Sequence, residues 1–367
     1  MTTGNVTVVA PADADADDWA MTCETAEAAF ADACSAALGV ALERGSPLLS
    51  ALTTGRQVMV LMYSGGDRGA DGMPAFAWGR GWATASYDPL LDERHGNLLR
   101  SAVLDPLLAA ARAGWIGAVW AGVPCESFTC LRFVEPGEGE PEAPPLRSRA
   151  YLPDLPPCPE GWQGYRDMHE RFVDAAFDVM CAVRVAGGRA VAENPIDRGD
   201  VRRVAVYREE YADHAPLELH PRAQAFLASG GQVVDMAQCM SRGLFQKWTS
   251  LICDERTAAV LEPVQRAPCV HVRGDHAMQA KGLDHQGVSR SKRAAAYPRH
   301  MNWWAATALT GGSHSEVYAI MAETIQPILE PAIARAEAEG DARTAALGRG
   351  VAAAFARLEP PALQADE

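Results

Sequence analysis

Short runs of apolar residues alternate with longer segments of mixed character through the middle of the chain. Two of the longer segments, residues 97–113 and 165–185, repeat apolar residues at the spacing of an amphipathic helix. The short runs are rich in Val, Ala and Met and have the length of strands. Strands separated by helices form parallel sheets that are covered on both faces, so the pattern predicts an α/β fold with a doubly wound sheet. The predicted strands are residues 58–63, 82–87, 117–122, 189–192 and 231–236.

The same pattern divides the chain into five segments. Residues 1–18 are acidic and are expected to be disordered, and residues 19–55 are expected to form an N-terminal helical segment. Residues 56–250 hold the predicted sheet and its crossover connections. Residues 251–301 form a short irregular segment with several Cys and His residues, and residues 302–367 are predicted to form C-terminal helices. The α/β core is therefore expected to carry helical additions at both ends.

Composition and charge limit the classes of protein that fit. A chain of 367 residues with 48% hydrophobic residues can bury a large core, arranged as one large domain or two. The formal net charge of -14 gives no general attraction to nucleic acid. A polynucleotide would therefore need a local basic groove.

Cysteine usage and the termini indicate a compartment. The cysteines are scattered along the chain and do not form the dense framework of a small secreted domain, which favours a reducing compartment. The N-terminus has an acidic run and no early Lys or Arg, which is the wrong sign for a targeting peptide. No apolar stretch approaches the ~20 residues of a membrane helix. The expected location is intracellular, in the cytoplasm or a nucleus, with no membrane partner.

Two short polar groups follow the third and fourth predicted strands. Val123-Pro124-Cys125 comes after residues 117–122, and Glu193-Asn194-Pro195 comes after residues 189–192. The carboxyl ends of parallel strands meet along one rim of the sheet, where open α/β sheets bind ligands. A thiol nucleophile and an acid are therefore expected on the same rim. A lone cysteine is more often an inert core residue, so its neighbours decide between the two interpretations.

The residues around both groups resemble the catalytic motifs of the cytosine-5 DNA methyltransferases. Pro124-Cys125-Glu126-Ser127-Phe128-Thr129 matches the family pattern Pro-Cys-x-x-Phe-Ser except at its last residue, and Glu193-Asn194 matches the family's Glu-Asn pair. Pro195 departs from the hydrophobic residue that usually follows. The resemblance covers roughly residues 58–307. It implies a class I S-adenosylmethionine-dependent methyltransferase fold, with residues 56–250 as the catalytic core, Cys125 as the nucleophile and Glu193 as the acid.

The implied reaction explains why both residues are required. Carbon 6 of cytosine is a poor electrophile until nitrogen 3 is protonated or strongly hydrogen-bonded, so a thiolate and an acid must act on one ring. A free thiol has a pKa of ~8.5, so Cys125 needs a positive neighbour, for which Arg132 is the candidate. Glu193 must hold a proton near neutrality, which desolvation in a closed site promotes. Addition of the thiolate makes carbon 5 nucleophilic toward the methyl group.

A glycine-rich turn after the first predicted strand is the candidate cofactor site. Its glycines let the backbone approach a ligand, and Asp88 ends the second strand where a carboxylate can accept hydrogen bonds from ribose hydroxyls. A plain tight turn is the alternative interpretation. The family has an aromatic-x-Gly turn here and an Asn in its closing motif, so the resemblance implies S-adenosylmethionine as the cofactor. The implied contacts are Tyr63, Ser64, Gly65, Asp67, Gly69, Asp88 and Asn302.

The substrate contacts follow from the same resemblance. Residues 243–249 take the place of a family motif that lies against the flipped base. The short interval from Thr249 to Asn302 leaves no room for the large target-recognition domain of sequence-reading members. The implied substrate is cytosine in nucleic acid, with DNA favoured. The implied substrate-binding residues are Ser127, Arg132, Asn194, Gln246 and Lys247.

A set of basic residues offers the local groove that the net charge does not provide. A solvated charged face is the alternative interpretation of such a cluster. Two other functions therefore stay open: carbon-5 methylation of a free pyrimidine nucleotide, and a non-catalytic protein that keeps the fold for binding. The basic residues are Arg147, Arg149, Lys247, Arg290, Lys292, Arg293 and Arg299.

Cys253, Cys269, His271 and His276 in the short irregular segment are residues of the types that bind zinc. A metal would stabilise a short segment of this kind. However, their spacing contains no Cys-x-x-Cys pair, which favours one or two buried cysteines and solvated histidines. The expectation is therefore that the chain holds no metal.

Overall fold

The computed structural model describes residues 16–65, 69–135, 143–151, 158–272, 274–278, 286, 290 and 295–356, with the backbone alone for residues 16–24. The prediction of disorder for residues 1–15 lies outside the described residues, and residues 16–18 already belong to the first helix. Asp67, Lys292 and Arg293 also lie outside the described residues.

Six strands of the described chain form one mixed sheet. They are β1 (Gln57–Met62), β2 (Trp82–Tyr87), β3 (Ile116–Ala121), β4 (Arg189–Pro195), β5 (Gln232–Ala237) and β6 (Trp248–Cys253). Their order is β2-β1-β3-β4-β6-β5. β1 to β4 run parallel, whereas β6 runs antiparallel to both of its neighbours. The predicted α/β class is confirmed.

β6 crosses the predicted boundary between the α/β core and the segment that starts at residue 251. The hydrophobic pattern does not predict this strand because Thr249 and Ser250 make its first half polar. Both residues are nevertheless buried, since β6 is flanked by β4 and β5, and the Ser250 hydroxyl donates to Asp235 of β5 at 2.7 Å. The boundary at residue 250 is therefore corrected, and the core extends to Cys253.

Helices precede, connect and follow the strands. The first C-terminal helix begins at Arg299, three residues before the boundary predicted at residue 302. The helices of the described chain are α1 (Ala16–Leu38), α2 (Pro47–Leu52), α3 (Met73–Gly79), α4 (Ser101–Arg112), α5 (Gln163–Val185), α6 (Pro221–Ala228), α7 (Glu255–Val260), α8 (Glu262–Gln265), α9 (Arg299–Leu309), α10 (His314–Ala338) and α11 (Ala342–Ala356). Among the described residues, no helix combines the length and the apolar character that a membrane span requires.

Side chains of each strand alternate between the two faces of the sheet, and helices cover both faces. Val58, Val60 and Met62 of β1 pack with buried residues of α1, α2, α4, α5 and α6. Met59 and Leu61 pack on the opposite face with α3, α7, α8, α9, α10 and α11. Neither face of the sheet contacts water at β1, so both sets of positions in this strand are apolar. The strand is therefore a continuous hydrophobic run in the sequence.

The strand order reverses between β1 and β3, and at such a point the strand ends leave a crevice for ligands. Gly122 follows β3 at this crevice, and its N–H donates to Met62 O at 2.8 Å. A Cβ at position 122 would lie 2.5 Å from the Tyr297 hydroxyl and 2.9 Å from the Tyr63 carbonyl oxygen. Only glycine therefore allows both tyrosines to approach the strand that leads to Cys125.

Candidate functional site

Glu193 lies near the end of β4 and is 4% exposed. The Lys247 Nζ lies 3.3 Å from its Oε1, and the Gln238 amide donates to the same oxygen at 3.5 Å. The Tyr297 hydroxyl donates to Oε2 at 3.0 Å. Burying a carboxylate is costly unless it is paired and hydrogen-bonded, and here both oxygens have partners. These four residues, Glu193, Lys247, Gln238 and Tyr297, are called the Glu193 cluster below.

The turn between β5 and β6 positions two members of this cluster. Gln238 begins the 3₁₀ helix Gln238–Ser241 directly after β5, and Lys247 lies directly before β6. The Gln238 N–H donates to Lys247 O at 2.8 Å, and its side-chain amide also donates to Thr249 Oγ1 at 3.1 Å. Because β6 lies between β4 and β5, this turn reaches the carboxyl end of β4.

Tyr297 supplies a neutral donor to the Glu193 cluster. It precedes α9, and its ring packs edge-on against Trp120 of β3 with ring centroids 5.5 Å apart. Burial raises the pKa of the Tyr297 hydroxyl well above its usual range, and the nearby Glu193 carboxylate raises it further. Tyr297 therefore keeps its proton and acts as a hydrogen-bond donor.

Lys247 supplies the positive charge of the cluster. Burial on its own lowers the pKa of the Lys247 ammonium, but the negative charges of Glu193 and of a Cys125 thiolate outweigh burial and raise that pKa above its usual value. The Nζ also lies 5.8 Å from the centroid of the Tyr297 ring. Lys247 is therefore a charged residue that acts on both predicted catalytic groups.

Cys125 lies on the same rim, at the start of the 3₁₀ helix Cys125–Ser127 after β3, and its side chain is partly buried. Burial raises the pKa of the thiol to about 12; the Lys247 charge lowers that pKa, and the Glu126 and Glu193 carboxylates raise it. The thiol is therefore protonated in this structure. Lys247 is the cation that acts on it most strongly, in place of the predicted Arg132.

Two predicted substrate contacts hold the loop that carries Cys125. The Asn194 amide donates to Val123 O at 3.1 Å. The Arg132 guanidinium donates to Glu126 O and, at 2.9 Å, to Pro144 O. Within the described part of the chain, Asn194 Oδ1 is buried and has no hydrogen-bond partner, so it remains an acceptor for a ligand.

Ser127, a third predicted substrate contact, accepts two hydrogen bonds of 3.3 Å from the buried Arg147 guanidinium. Arg147 stacks on the Phe128 ring, 3.9 Å from its centroid, and forms an ion pair with Glu170. Glu170 also accepts a hydrogen bond of 2.7 Å from His220. Burial alone raises the pKa of Glu170, but the His220 hydrogen bond and the Arg147 charge lower it to about 2. Arg147, Glu170 and His220 are called the Glu170 network below.

The structure describes part of the predicted basic groove. Arg290 is partly exposed, and Lys292 and Arg293 lie outside the described residues. The other four cations are ion-paired within the chain. The pairs are Arg147 with Glu170, Arg149 with Asp197 at 2.6 Å, Lys247 with Glu193 at 3.3 Å, and Arg299 with Asp71 at 3.0 Å.

The turn after β1 brings two predicted cofactor contacts together. The Gly65 N–H donates to Asp88 Oδ2 at 3.1 Å, and the Leu90 N–H donates to Asp88 Oδ1 at 2.9 Å. Tyr63 has a left-handed φ of 54°, and its N–H donates to Tyr87 O at 2.8 Å. Among the described residues, a Cβ on Gly65 would meet nothing within 4 Å. An ionised carboxylate has about four lone-pair sites, so Asp88 can still accept hydrogen bonds from a ligand.

The other predicted cofactor contacts lie around the same turn. Ser64 is part of it, and Gly69 begins the 3₁₀ helix Gly69–Asp71 with a φ of 58°. Asn302 is buried, and its amide donates to Asp71 O at 2.8 Å. Asn302 therefore holds the backbone just after the turn, whereas the N-cap of α9 is Pro298.

The sequence pattern does not predict Gln238 or Tyr297. Gln246, predicted to face the base, is exposed, whereas Gln238 is buried and contacts Glu193. The rule that identifies Cys125 and Glu193 also applies to Gln238, because it too directly follows a strand. No local pattern indicates Tyr297, whose partner in the cluster is distant in sequence.

Three of the four residues considered as zinc ligands lie together, and one does not. Cys269 Sγ lies 3.5 Å from His271 Nδ1 and 3.4 Å from His276 Nε2. Cys253 is buried in β6, where its thiol contacts Leu251 O at 3.5 Å. Cys239 joins the other three in its place.

In comparisons with family models, curated proteins and solved structures, nothing matched this chain. The geometry of the rim and the resemblance of the motifs are therefore the basis for a functional proposal.

Proposed function

We propose that this protein is an S-adenosylmethionine-dependent methyltransferase that modifies carbon 5 of cytosine in nucleic acid, with DNA as the favoured polymer. One observation carries the proposal. Cys125 and Glu193 lie at the carboxyl ends of the neighbouring parallel strands β3 and β4, and the charge of Lys247 acts on both side chains. A nucleophile and an acid linked by one cation are what addition to a pyrimidine ring requires.

The sheet supports the same class of enzyme. Five strands run in one direction, and the antiparallel strand β6 is inserted between β4 and β5. This order resembles the sheet of class I methyltransferases, with fewer strands at the β2 edge. The order reverses between β1 and β3, next to the turn of Gly65 and Asp88. Tyr63, Ser64, Gly65 and Asp88 fit a nucleoside cofactor, because the turn follows β1 at the switch point and Asp88 has acceptor capacity for ribose hydroxyls.

The residues of the rim suit each step of the reaction. The Cys125 thiol gives its proton to the Glu193 and Lys247 pair, and its sulfur bonds to carbon 6 while Lys247 stabilises the thiolate. The Glu193 and Lys247 pair delivers a proton to nitrogen 3, with Gln238 and Tyr297 holding the carboxylate in place. S-adenosylmethionine supplies the methyl group when bound. Water then takes the carbon-5 proton, the electrons of that C–H bond re-form the C5–C6 double bond and expel the Cys125 thiolate, and the proton on nitrogen 3 returns to the thiolate through the Glu193 and Lys247 pair.

The ion-paired arginines favour a second candidate, the same chemistry on a free pyrimidine nucleotide. Each backbone phosphate that a protein neutralises requires a cation, and Arg147, Arg149 and Arg299 already pair with carboxylates. The net charge of -14 adds to this argument. A third candidate, a binding protein without turnover, is favoured by the protonated Cys125 thiol, whose pKa burial raises to about 12.

Methyl transfer to parallel substrates tests these functions. The wild type and the Cys125→Ser variant are incubated with labelled S-adenosylmethionine and duplex DNA, RNA or free cytidine nucleotides. We expect 5-methylcytosine in a polynucleotide with the wild type alone. Product on free nucleotides alone would replace the proposal with the second candidate. Absence of product, together with calorimetric binding of S-adenosylhomocysteine, would support the third, and absence of both would contradict all three.

A further inference from the structure

Four side chains of metal-binding type converge beside the Glu193 cluster. The ligand atoms of Cys239, Cys269, His271 and His276 all lie within 4.8 Å of one another. The centroids of the two imidazole rings are 4.6 Å apart. Cys239 is buried, and the other three are partly buried. Cys239 immediately follows Gln238, whose amide contacts Glu193.

The distances among these atoms match a tetrahedral site. With Zn–S bonds of ~2.3 Å and Zn–N bonds of ~2.0–2.1 Å, tetrahedral sulfur and nitrogen ligands lie about 3.5–3.6 Å apart. Cys269 Sγ lies 3.5 Å from His271 Nδ1 and 3.4 Å from His276 Nε2. A single thiol–imidazole hydrogen bond would explain one such contact, but not two imidazoles at one sulfur with a second cysteine beside them.

We propose that this protein binds one Zn²⁺ ion through Cys239 Sγ, Cys269 Sγ, His271 Nδ1 and His276 Nε2. Two thiolates and two imidazoles form a set typical of structural zinc, because all four positions are filled by protein and none is left for water or substrate. The site is separate from the reacting groups of the proposed methyl transfer and does not depend on that function.

The metal joins two segments that are separate along the chain. Cys239 belongs to the 3₁₀ helix after β5, and the other three ligands lie in residues 269–276, after α8. The Met278 N–H donates to Leu244 O at 3.0 Å, and Met278 also pairs with Phe245. The zinc site and this bridge therefore hold both sides of the turn from Gln238 to Lys247. The ion fixes the turn that supplies two partners of Glu193.

Metal content and coordination geometry test the site directly. The full chain is purified in buffer with zinc and without chelator, then freed of loose metal, and zinc is measured by mass spectrometry. We expect one zinc per chain. Replacement by Co²⁺ should give the visible bands of a tetrahedral ion and a thiolate-to-cobalt charge-transfer band. Zinc far below one equivalent, or the weak spectrum of octahedral cobalt, would overturn the proposal.

Matched variants identify the ligands. Cys239→Ser and His276→Asn should lose zinc, whereas Cys253→Ala should keep it, because Cys253 lies in β6 away from the cluster. Cys181→Ser, a change of an exposed cysteine in α5, controls for general handling. Retention of zinc by Cys239→Ser and its loss in Cys253→Ala would contradict the assigned set.

Two further measurements keep the test decisive if a ligand variant fails to fold. Adding Zn²⁺ to wild-type protein stripped by a chelator should raise its melting temperature, since the ion binds the folded state alone. An unchanged melting temperature would contradict the proposal. Thiol titration separates zinc from a disulfide: Cys239 and Cys269 should react after denaturation with chelator, whereas a disulfide would leave both unreactive.

Discussion

Two carboxylates support the loop of Cys125, the buried Glu193 and the partly buried Glu170, and their surroundings differ in kind. Glu170 of α5 binds Arg147 and His220, and its pKa is lowered to about 2. Glu193 has one cation, Lys247, and two neutral donors, Gln238 and Tyr297. The Arg147 partner of Glu170 reaches Ser127, whereas the Lys247 partner of Glu193 also acts on the Cys125 thiol.

This difference in partners predicts two roles. We expect Glu170 to anchor the loop and Glu193 to take part in the reaction. A carboxylate held by two strong partners, as Glu170 is, stays ionised and fixes the loop. A carboxylate that shares its only cation with a thiol is coupled to the ionisation of that thiol, since each charge alters the free energy of the other. We therefore expect changes in the Glu170 network to alter stability and changes in the Glu193 cluster to alter turnover.

The largest expected effect concerns Cys125, the residue that makes the Glu193 cluster reactive. An oligonucleotide with 5-fluorocytosine should trap a covalent adduct with the wild type, because fluorine cannot leave as the proton does. Cys125→Ser should form no adduct, as measured by intact-protein mass spectrometry. Cys130→Ser, a change of a buried cysteine in the same loop, is the control and should keep the adduct. An adduct that maps to Cys130 would refute the assignment.

The next effect distinguishes the two carboxylates by turnover. Glu193→Gln removes the carboxylate that passes the proton to nitrogen 3 but keeps the shape of the side chain, so turnover should fall by about 100-fold, as for loss of a general acid. Glu170→Gln should change turnover by no more than a few-fold. Calorimetric affinity for S-adenosylhomocysteine should be the same in all three proteins. Equal turnover in the two variants would remove the functional distinction drawn between these residues.

The free energy of unfolding should depend more on Glu170 than on Glu193, the opposite of the order expected for turnover. Glu170→Gln leaves Arg147 without its ion-pair partner, and we expect a loss of about 2 kcal/mol in the free energy of unfolding, below the usual cost for a fully buried pair because Glu170 is partly exposed. Glu193→Asp, which keeps a carboxylate, serves as the comparison at the other site. Urea denaturation at neutral pH measures both. A larger loss from the Glu193 change would reverse the comparison.

The pH dependence of stability follows from the same pair. The pKa of Glu170 is lowered from 4.5 to about 2 in the folded protein, so its contribution is complete above the unfolded value. That contribution should disappear as pH falls from about 5 toward 2. Glu170→Gln should therefore flatten the acid side of the stability profile, measured by urea denaturation across that range. A profile identical to the wild type would show that Glu170 does not contribute.

The smallest expected effect tests the polynucleotide part of the proposal. Replacing Arg290, Lys292 and Arg293 by Ala should flatten the dependence of log affinity on log salt by about 0.7–0.9 for each phosphate contact that is lost. The exposed Arg44 is the control, and Arg44→Ala should leave the slope unchanged. Fluorescence anisotropy with labelled duplexes at several salt concentrations measures this slope. An unchanged slope in the triple variant, together with saturation by free nucleotide, would favour the nucleotide substrate.

The sequence predicts most of the sheet because β1 to β4 are short apolar runs separated by amphipathic helices. It does not predict β6, because burial of Thr249 and Ser250 results from their position between β4 and β5 and not from their own polarity. The periodicity of apolar residues does not show which strands pair, so it does not predict that β6 inserts antiparallel between β4 and β5. The boundary at residue 250 fails for the same reason.

In the candidate site, too, local sequence patterns predict some residues and not others. Cys125 and Glu193 are predictable because each follows or ends a recognisable strand. Their partners depend on contacts across the fold, since Gln238 and Tyr297 lie 45 and 104 residues from Glu193 in sequence. Arg132 illustrates the converse: it is near Cys125 in sequence, yet its guanidinium binds backbone carbonyls. Local sequence patterns therefore predict which residues are candidate reacting groups better than they predict the side chains that contact those groups.

Lys247, shared between a thiol and a carboxylate, gives the rim a constant net charge. In this structure the thiol is neutral, and the ammonium and carboxylate charges cancel. In the proposed addition, the thiol proton is released while nitrogen 3 gains one, so the total charge of enzyme groups and ring is the same before and after. Moving a charge between water and a low-dielectric interior costs far more than rearranging protons within it. The addition step can therefore proceed on a closed rim without a compensating ion from solvent.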